Sequence, residues 1–250
     1  RPFEYPHFFE FFQKQNQAHW LPTEVHMESD ISDYRFNLAP HETNLIIQIL
    51  RFFTQGDIEV NNNYNQKLIP AFPKPEIKMM LSAFAAMEST HVWAYSYLND
   101  SLGLPEKEYS AFLEYESMRN KYTYIRGFDV RSVEELAINL AVFGGFMEGV
   151  SLFSSFAILM NFPRLGRLKG MGQIVTWSIR DETLHSRGVT RLFRDLISEN
   201  KHLWTRELQN TLYKACDDMV LLEDAFIDTC FAMGDVPGLA ASHVKQYIRY

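Results

Sequence analysis

The run LAINLAVFGGFMEGVSLFSSFAILM, Leu136 to Met160, holds 25 residues and a single charge, Glu148, near its centre. No other stretch of the chain constrains the fold as much. An ionised carboxylate in apolar surroundings is costly unless a cation pairs with it. The run is long enough to cross a bilayer. Against that reading, no Lys or Arg lies close to either end, and Glu134 and Glu135 stand at its start. Gly144, Gly145, Asn139 and several serines dilute its hydrophobicity, and no second such segment exists to shield Glu148. The sequence therefore predicts no membrane span. It predicts a helix that is apolar all round because other helices surround it. Glu148 then needs a buried positive partner.

The rest of the chain supplies the surroundings. Its 250 residues, 46% hydrophobic, can bury a sizeable core. Strand-like alternation is missing, and Pro and Gly fall between long periodic segments, so the expected class is all-α. Helices are expected from about His41 past Asp57, from Pro75 to the NDSLG stretch, and as a shorter piece after Pro105. The apolar run should start at Ser132 and Glu135, a capping-box pattern, and end near Asn161-Phe162-Pro163. Further helices are expected from about Gly170 to Glu199 and from about Thr205 to Phe231, with GDVPG breaking the chain before a last one. No repeat, low-complexity segment or linker divides the chain, which predicts one domain over residues 1–250.

Charge and cysteine usage narrow the function. The net charge is −7 and no long basic run exists; Arg164, Arg167 and Lys169 form only a short loop cluster. Nucleic acid is therefore not the expected partner. Cys216 and Cys230 make no C-x-x-C and read as two core thiols in a reducing compartment, hence the cytoplasm.

A lysine or arginine could neutralise Glu148, but two other helices make a metal the stronger candidate. MESTHVWAY contains Glu88-x-x-His91, and IRDETLHSR contains Glu182-x-x-His185. Residues at i and i+3 share a helix face, so each pair can offer a carboxylate and an imidazole to one point. One such pair is a weak signal, and a surface or capping pair is its plainer reading. Two of them, with one carboxylate from each of two further helices, make the dinuclear ligand set of four-helix bundles. Glu148 fills one single-carboxylate place, and Asp57 in FFTQGDIEV fills the other. Glu59 competes, but it points about 200° away around a helix. Four carboxylates neutralise two divalent cations, and two imidazoles complete a mixed shell suited to iron or manganese. Zinc would take fewer oxygens.

The order Asp57, Glu88-x-x-His91, Glu148, Glu182-x-x-His185 resembles the small, radical-generating subunit of class I ribonucleotide reductase. The successive intervals of 31, 60 and 34 residues from Asp57 to Glu182 are similar to that family's. So are the RDExLH context of the second pair, the EGxxxF and FSSF context after Glu148, and the closing VKQYIRY. The resemblance runs from HWLPTEV onward. It implies a ferritin-like bundle, homodimeric, with two metal ions per chain, iron foremost and manganese second. That centre reacts with oxygen or a reduced oxygen species, and the oxidising equivalent is stored as a radical on Tyr95. Trp20 and Asp181 are implied to link the metal site, through His91, to the surface. The radical then passes to a separate large catalytic subunit, which reduces ribonucleotides to deoxyribonucleotides for DNA replication. A reductant or flavoprotein activator is a further implied partner.

Periodicity alone leaves Tyr95 an ordinary core aromatic, Asp181 a solvated helix charge and Trp20 a packing residue. Two positions depart from the family pattern. Leu152 stands where many members carry phenylalanine, and Ser178 is polar where they are often aliphatic. Asp57 separates the chain from the related ligand-binding oxidases, which usually offer Glu at that ligand, and a metal-storage protein needs none of Trp20, Asp181 and Tyr95. LAASHVKQYIRY carries no helix stop before Tyr250, so the chain reads as truncated ahead of the flexible tail by which the family docks on the large subunit.

Overall fold

A computed structural model describes residues 3–250. In chain order its principal α-helices are α1 (Pro6–Gln17), α2 (Glu28–Ser32), α3 (Pro40–Asn63), α4 (Pro75–Leu102), α5 (Glu116–Arg126), α6 (Val133–Leu140), α7 (Leu152–Arg164), α8 (Lys169–Glu199), α9 (Arg206–Cys230) and α10 (Ala241–Tyr247). Among the described residues there is no strand, only an isolated bridge between Val236 and Leu239. The all-α expectation holds.

The helix starts follow local chemistry. Prolines open α1, α3 and α4, where the missing N–H costs nothing and φ is already helical. Glu42 accepts from the backbone N–H of Ala39, Ser132 Oγ from Glu135, and Thr205 Oγ1 from Leu208. The capping box expected at Ser132 is only half formed, because Glu135 turns back to accept from the Arg131 N–H instead. Helix α4 ends on Gly103, at φ 75°, a left-handed stop that glycine adopts without penalty. The piece after Pro105 is not one helix but two 3₁₀ turns, Glu106–Tyr109 and Ala111–Glu114, ahead of α5. Arg164 and Lys169 sit at the end of α7 and the start of α8, and only Arg167 is in the loop, bound to Glu42.

The largest departure concerns the apolar run. It is one continuous helical path from α6 to α7, but its middle, Ala141–Ser151, is wound as a π-helix. Periodicity does not reveal this, because the partly exposed residues of the segment, such as Phe146 and Val150, are as apolar as its buried ones and no polar face betrays its pitch. The path from Val133 to Arg164 is long and apolar enough to cross a membrane, yet it is mostly buried inside the bundle. It packs against α8 on one side and α9 on the other, while α3 packs on α4 and α4 on α8. Close approach depends on small residues. A Cβ on Gly144 would lie 2.4 Å from Val189 of α8, and one on Gly188 would lie 2.8 Å from the Phe84 ring of α4. Phe84, Phe156, Phe162 and Phe226 are fully buried in the resulting core, each contributing about 1.5–3 kcal/mol relative to exposure. Cys230 belongs to that core, but Cys216 lies on a partly exposed face of α9, so only one of the two cysteines is a core thiol.

Candidate metal centre

Helices α3, α4 and α8 and the π-helical segment enclose a polar pocket in the middle of this core. Asp57 comes from α3, Glu88 and His91 from α4, Glu148 from the π-helical segment, and Glu182 and His185 from α8; none is more than 2% exposed. Six buried ionisable side chains in one place call for compensation that apolar neighbours cannot give.

The six fall into two overlapping groups. Ligand atoms of Glu88, Glu148, Glu182 and His185 lie within 4.8 Å of one another, and so do those of Asp57, Glu88 and His91. Glu88 belongs to both groups. Both imidazoles turn Nδ1 inward: His91 Nδ1 is 3.0 Å from Glu182 Oε1, and His185 Nδ1 is 2.8 Å from Glu88 Oε1. Yet Asp57 Oδ2, Glu88 Oε1, Glu148 Oε2, Glu182 Oε2 and His185 Nδ1 have no aligned hydrogen-bond partner. Buried polar atoms are almost always paired. Such poorly answered ligand atoms converging on one pocket fit a pair of cations bound by carboxylate oxygens and imidazole nitrogens. Glu59 takes no part; it accepts from Gln55 and faces Arg126.

Without metal, the imidazoles carry the compensating charge. Burial disfavours the His185 cation, but Glu182 and Glu88 outweigh it and hold the group up at about 10; His91 is raised as well, chiefly by Glu88. Burial likewise opposes ionisation of Glu88, and the two histidines override it, bringing the carboxyl down to about 2. For Asp57 and Glu148 the help from the imidazoles is outweighed, and both are pushed well above the carboxylate range, by burial first and then by neighbouring acids.

Around the pocket runs a layer of hydrogen bonds. The outer nitrogen of His91, Nε2, lies 3.5 Å from Asp181 Oδ2, which accepts from the Trp20 indole N–H at 2.7 Å. Trp20 is itself buried and packs on Trp177, with ring centroids 5.1 Å apart. The arrangement joins Trp20, Asp181 and His91 in one connected path. Tyr95 is buried beside Phe53, and its hydroxyl donates to Ser178 Oγ at 3.1 Å, which donates onward to the Ile174 carbonyl. Burial, with Asp57 nearby, raises its phenol pKa. Leu152 is buried, as a hydrophobic side chain at that place should be.

Two participants escaped the sequence reading. Gln15 on α1 amide-bonds Asp181 Oδ1 at 3.4 Å, while its carbonyl oxygen lies 3.0 Å from the outer nitrogen, Nε2, of His185. Its one trace in the sequence is a glutamine at helical spacing from Phe8 and Phe11. Tyr64 donates to Glu148 Oε1 at 2.5 Å. It sits two helical turns beyond Asp57 and carries no motif.

With this geometry in place, likeness to known proteins can be weighed. A family model, ribonucleotide reductase small chain, matches residues 1–250. A "probable ribonucleoside-diphosphate reductase small subunit" of Invertebrate iridescent virus 6 is 41% identical over all of this chain and 79% of its own length. The ribonucleoside-diphosphate reductase subunit beta of Chlamydia pneumoniae is 30% identical over all of this chain and 76% of its own. Among solved structures, the ribonucleotide reductase R2 subunit from Clostridium botulinum superposes with a TM-score of 0.87 at 21% identity, covering 99% of this chain and 79% of that one. Dimanganese(II)-NrdF of Streptococcus sanguinis gives 0.84 at 18%, covering 96% and 83%. An R2-like ligand-binding oxidase with a Mn/Fe cofactor gives 0.84 at 16%, covering 98% and 91%. At such identities the structures speak for the ferritin-like fold alone, whereas the family model and the sequence relatives speak for descent: the chain belongs to the ribonucleotide reductase small-chain family.

Proposed function

We propose that this chain, as the small subunit of a class I ribonucleotide reductase, makes and stores a radical. Asp57, Glu88, His91, Glu148, Glu182 and His185 bind two metal ions, and Tyr95 is the residue oxidised. The observation that carries this reading is the convergence of six buried acid and imidazole side chains on one pocket, where Asp57 Oδ2 and Glu148 Oε2 have no partner and Glu88 is common to the two halves. Two metals held there would supply the oxidising power, drawn from oxygen or a reduced oxygen species. Iron is the first metal to test and manganese the second, since both suit a shell of carboxylates and imidazoles.

The protein's part is confinement and orientation. Apolar side chains such as Phe53, Leu152 and Phe156 keep water from Tyr95, and Ser178 holds its phenolic proton in a defined hydrogen bond. Asp181 fixes the outer nitrogen of His91 and the indole of Trp20, which together offer an electron path away from the pocket. The receiving partner is the large catalytic subunit, where ribonucleotides become deoxyribonucleotides. The working unit is a single ferritin-like domain, a homodimer in the cytoplasm, served by a reductant or flavoprotein activator.

The test loads metal-free protein with iron or manganese, adds oxidant, and records metal content beside the electron paramagnetic resonance spectrum. Wild type and Tyr95→Phe should each hold two metals per chain, and only wild type should show a tyrosyl signal. An undiminished signal in Tyr95→Phe would move the radical to another residue, with Tyr97 and Tyr124 next to examine.

A further inference from the structure

We infer that Tyr64 is a positioning residue for one of the two metals, acting through Glu148: its hydroxyl engages Oε1 and so fixes the carboxylate whose Oε2 has no partner. The inference rests on the reading that the six buried side chains bind metal, and it adds a residue which that reading does not contain. The two carboxylate oxygens of Glu148 stand in different situations. Oε1 accepts from Tyr64 at 2.5 Å, whereas Oε2 is buried without a partner. Glu148 sits in a wide π-helical stretch, where backbone pitch alone does not define the side chain's aim. Tyr64 supplies the missing restraint.

The phenol can do so because it is itself fixed. It is 2% exposed, and its ring meets Phe84 and His185 edge-on, with centroids 6.2 and 6.3 Å away. Tyr64 also begins a second π-helical turn, Tyr64–Leu68, that continues α3. One helix therefore serves both halves of the pocket, giving Asp57 to the group with His91 and Tyr64 to the carboxylate in the group with His185. A hydrogen bond from a neutral phenol to a carboxylate is charge-assisted and strongly directional.

Manganese(II) alone is the probe, titrated into metal-free protein with the free ion followed by electron paramagnetic resonance. Tyr64→Phe removes one oxygen and keeps the ring. One of the two binding steps should weaken about tenfold while the other is unchanged, the size expected when a ligand loses its orienting partner. Tyr97→Phe is the control, since that hydroxyl donates to the Val25 carbonyl; both its steps should match wild type. A further variant separates orientation from packing. If Tyr64 acts through Glu148, adding Tyr64→Phe to Glu148→Gln should weaken binding no further. Unchanged affinities in Tyr64→Phe, or equal weakening of both steps with a lowered unfolding midpoint of the metal-free protein, would overturn the proposal. Wild-type protein that takes up no manganese would overturn instead the metal-site reading beneath it.

Discussion

Glu148 and Glu223 are both fully buried glutamates in the same bundle, and their surroundings are opposite. Glu223, on α9, is saturated. Lys121 from α5 lies 2.6 Å from its Oε2, Ser151 donates to the same oxygen at 3.0 Å, and Ser154 donates to Oε1. The Lys121 ammonium is in turn covered by the rings of Phe52 and Phe226, 4.2 and 4.4 Å from their centroids. Glu148 has one neutral donor and an oxygen with no partner, and the cation beside it, the His185 imidazolium, ion-pairs with Glu88 and Glu182 instead. A carboxylate whose charge the fold has already answered is structural. One that the fold leaves without an ion pair, beside three other acids, fits a site that would take cations from outside. One segment touches both: Ser151, which donates into the Glu223 cluster, is one turn beyond Glu148 and ends the π-helical segment.

That contrast can be broken at several points. The largest effect should come from Lys121→Ala, which strands Glu223 as an unpaired buried charge and should cost about 3–5 kcal/mol of stability with or without metal. Denaturant unfolding of the metal-free protein reads it directly; a loss under about 1 kcal/mol would deny that the Glu223 cluster is a sealed ion pair. Glu148→Ala should do the reverse. It should lower metal affinity by more than about a hundredfold while leaving the metal-free protein no less stable, since it removes a desolvated acid that lacks a cation. Retention of two tightly held ions in that variant would sink the assignment of Glu148.

Acidity sharpens the comparison further. In the metal-free protein His185 is held at about 10 against an ordinary 6.5. A raised imidazole contributes stability that is fully present below 6.5 and is lost as the pH rises through 10. Thermal unfolding of metal-free protein should therefore fall across that window, and metal loading, which needs a neutral imidazole, should abolish the fall. A flat metal-free profile would mean the histidines do not carry the compensating charge. The smallest effect belongs to a pair nearer the surface. Arg167 binds both oxygens of Glu42 and lowers that carboxyl below its usual 4.5. Arg167→Ala should cost about 1–3 kcal/mol, less than Lys121→Ala, because the guanidinium is partly exposed although Glu42 is buried. The depressed acid contributes above 4.5, so the penalty should fade as the pH drops below that value. A penalty that persists at low pH would point to packing against Phe162 rather than to charge.

Much of this was written in the chain itself. The all-α class follows from periodicity and from where Pro and Gly fall. Four of the pocket's six side chains, Glu88, His91, Glu182 and His185, were legible because i, i+3 spacing on a helix puts a Glu and a His on one face whatever the tertiary context. Glu148 was legible because a lone charge in an apolar run demands a reason. What sequence alone left open was the set of neighbours contributed by distant segments. Gln15 reaches His185 across 170 positions, Tyr64 reaches Glu148 across 84, and Ser178 meets Tyr95 across 83. None sits at a spacing that marks it, since each acts through hydrogen bonds to segments whose placement is chosen by how helices pack. The π-helical pitch of Ala141–Ser151 was hidden for a related reason. Pitch shows in a sequence only when one face is polar, and this segment is apolar both where it packs on α8 and α9 and where it is partly exposed. Residue types and local spacing thus determined which charges the core must accommodate, and only helix packing decided which of them are answered from within.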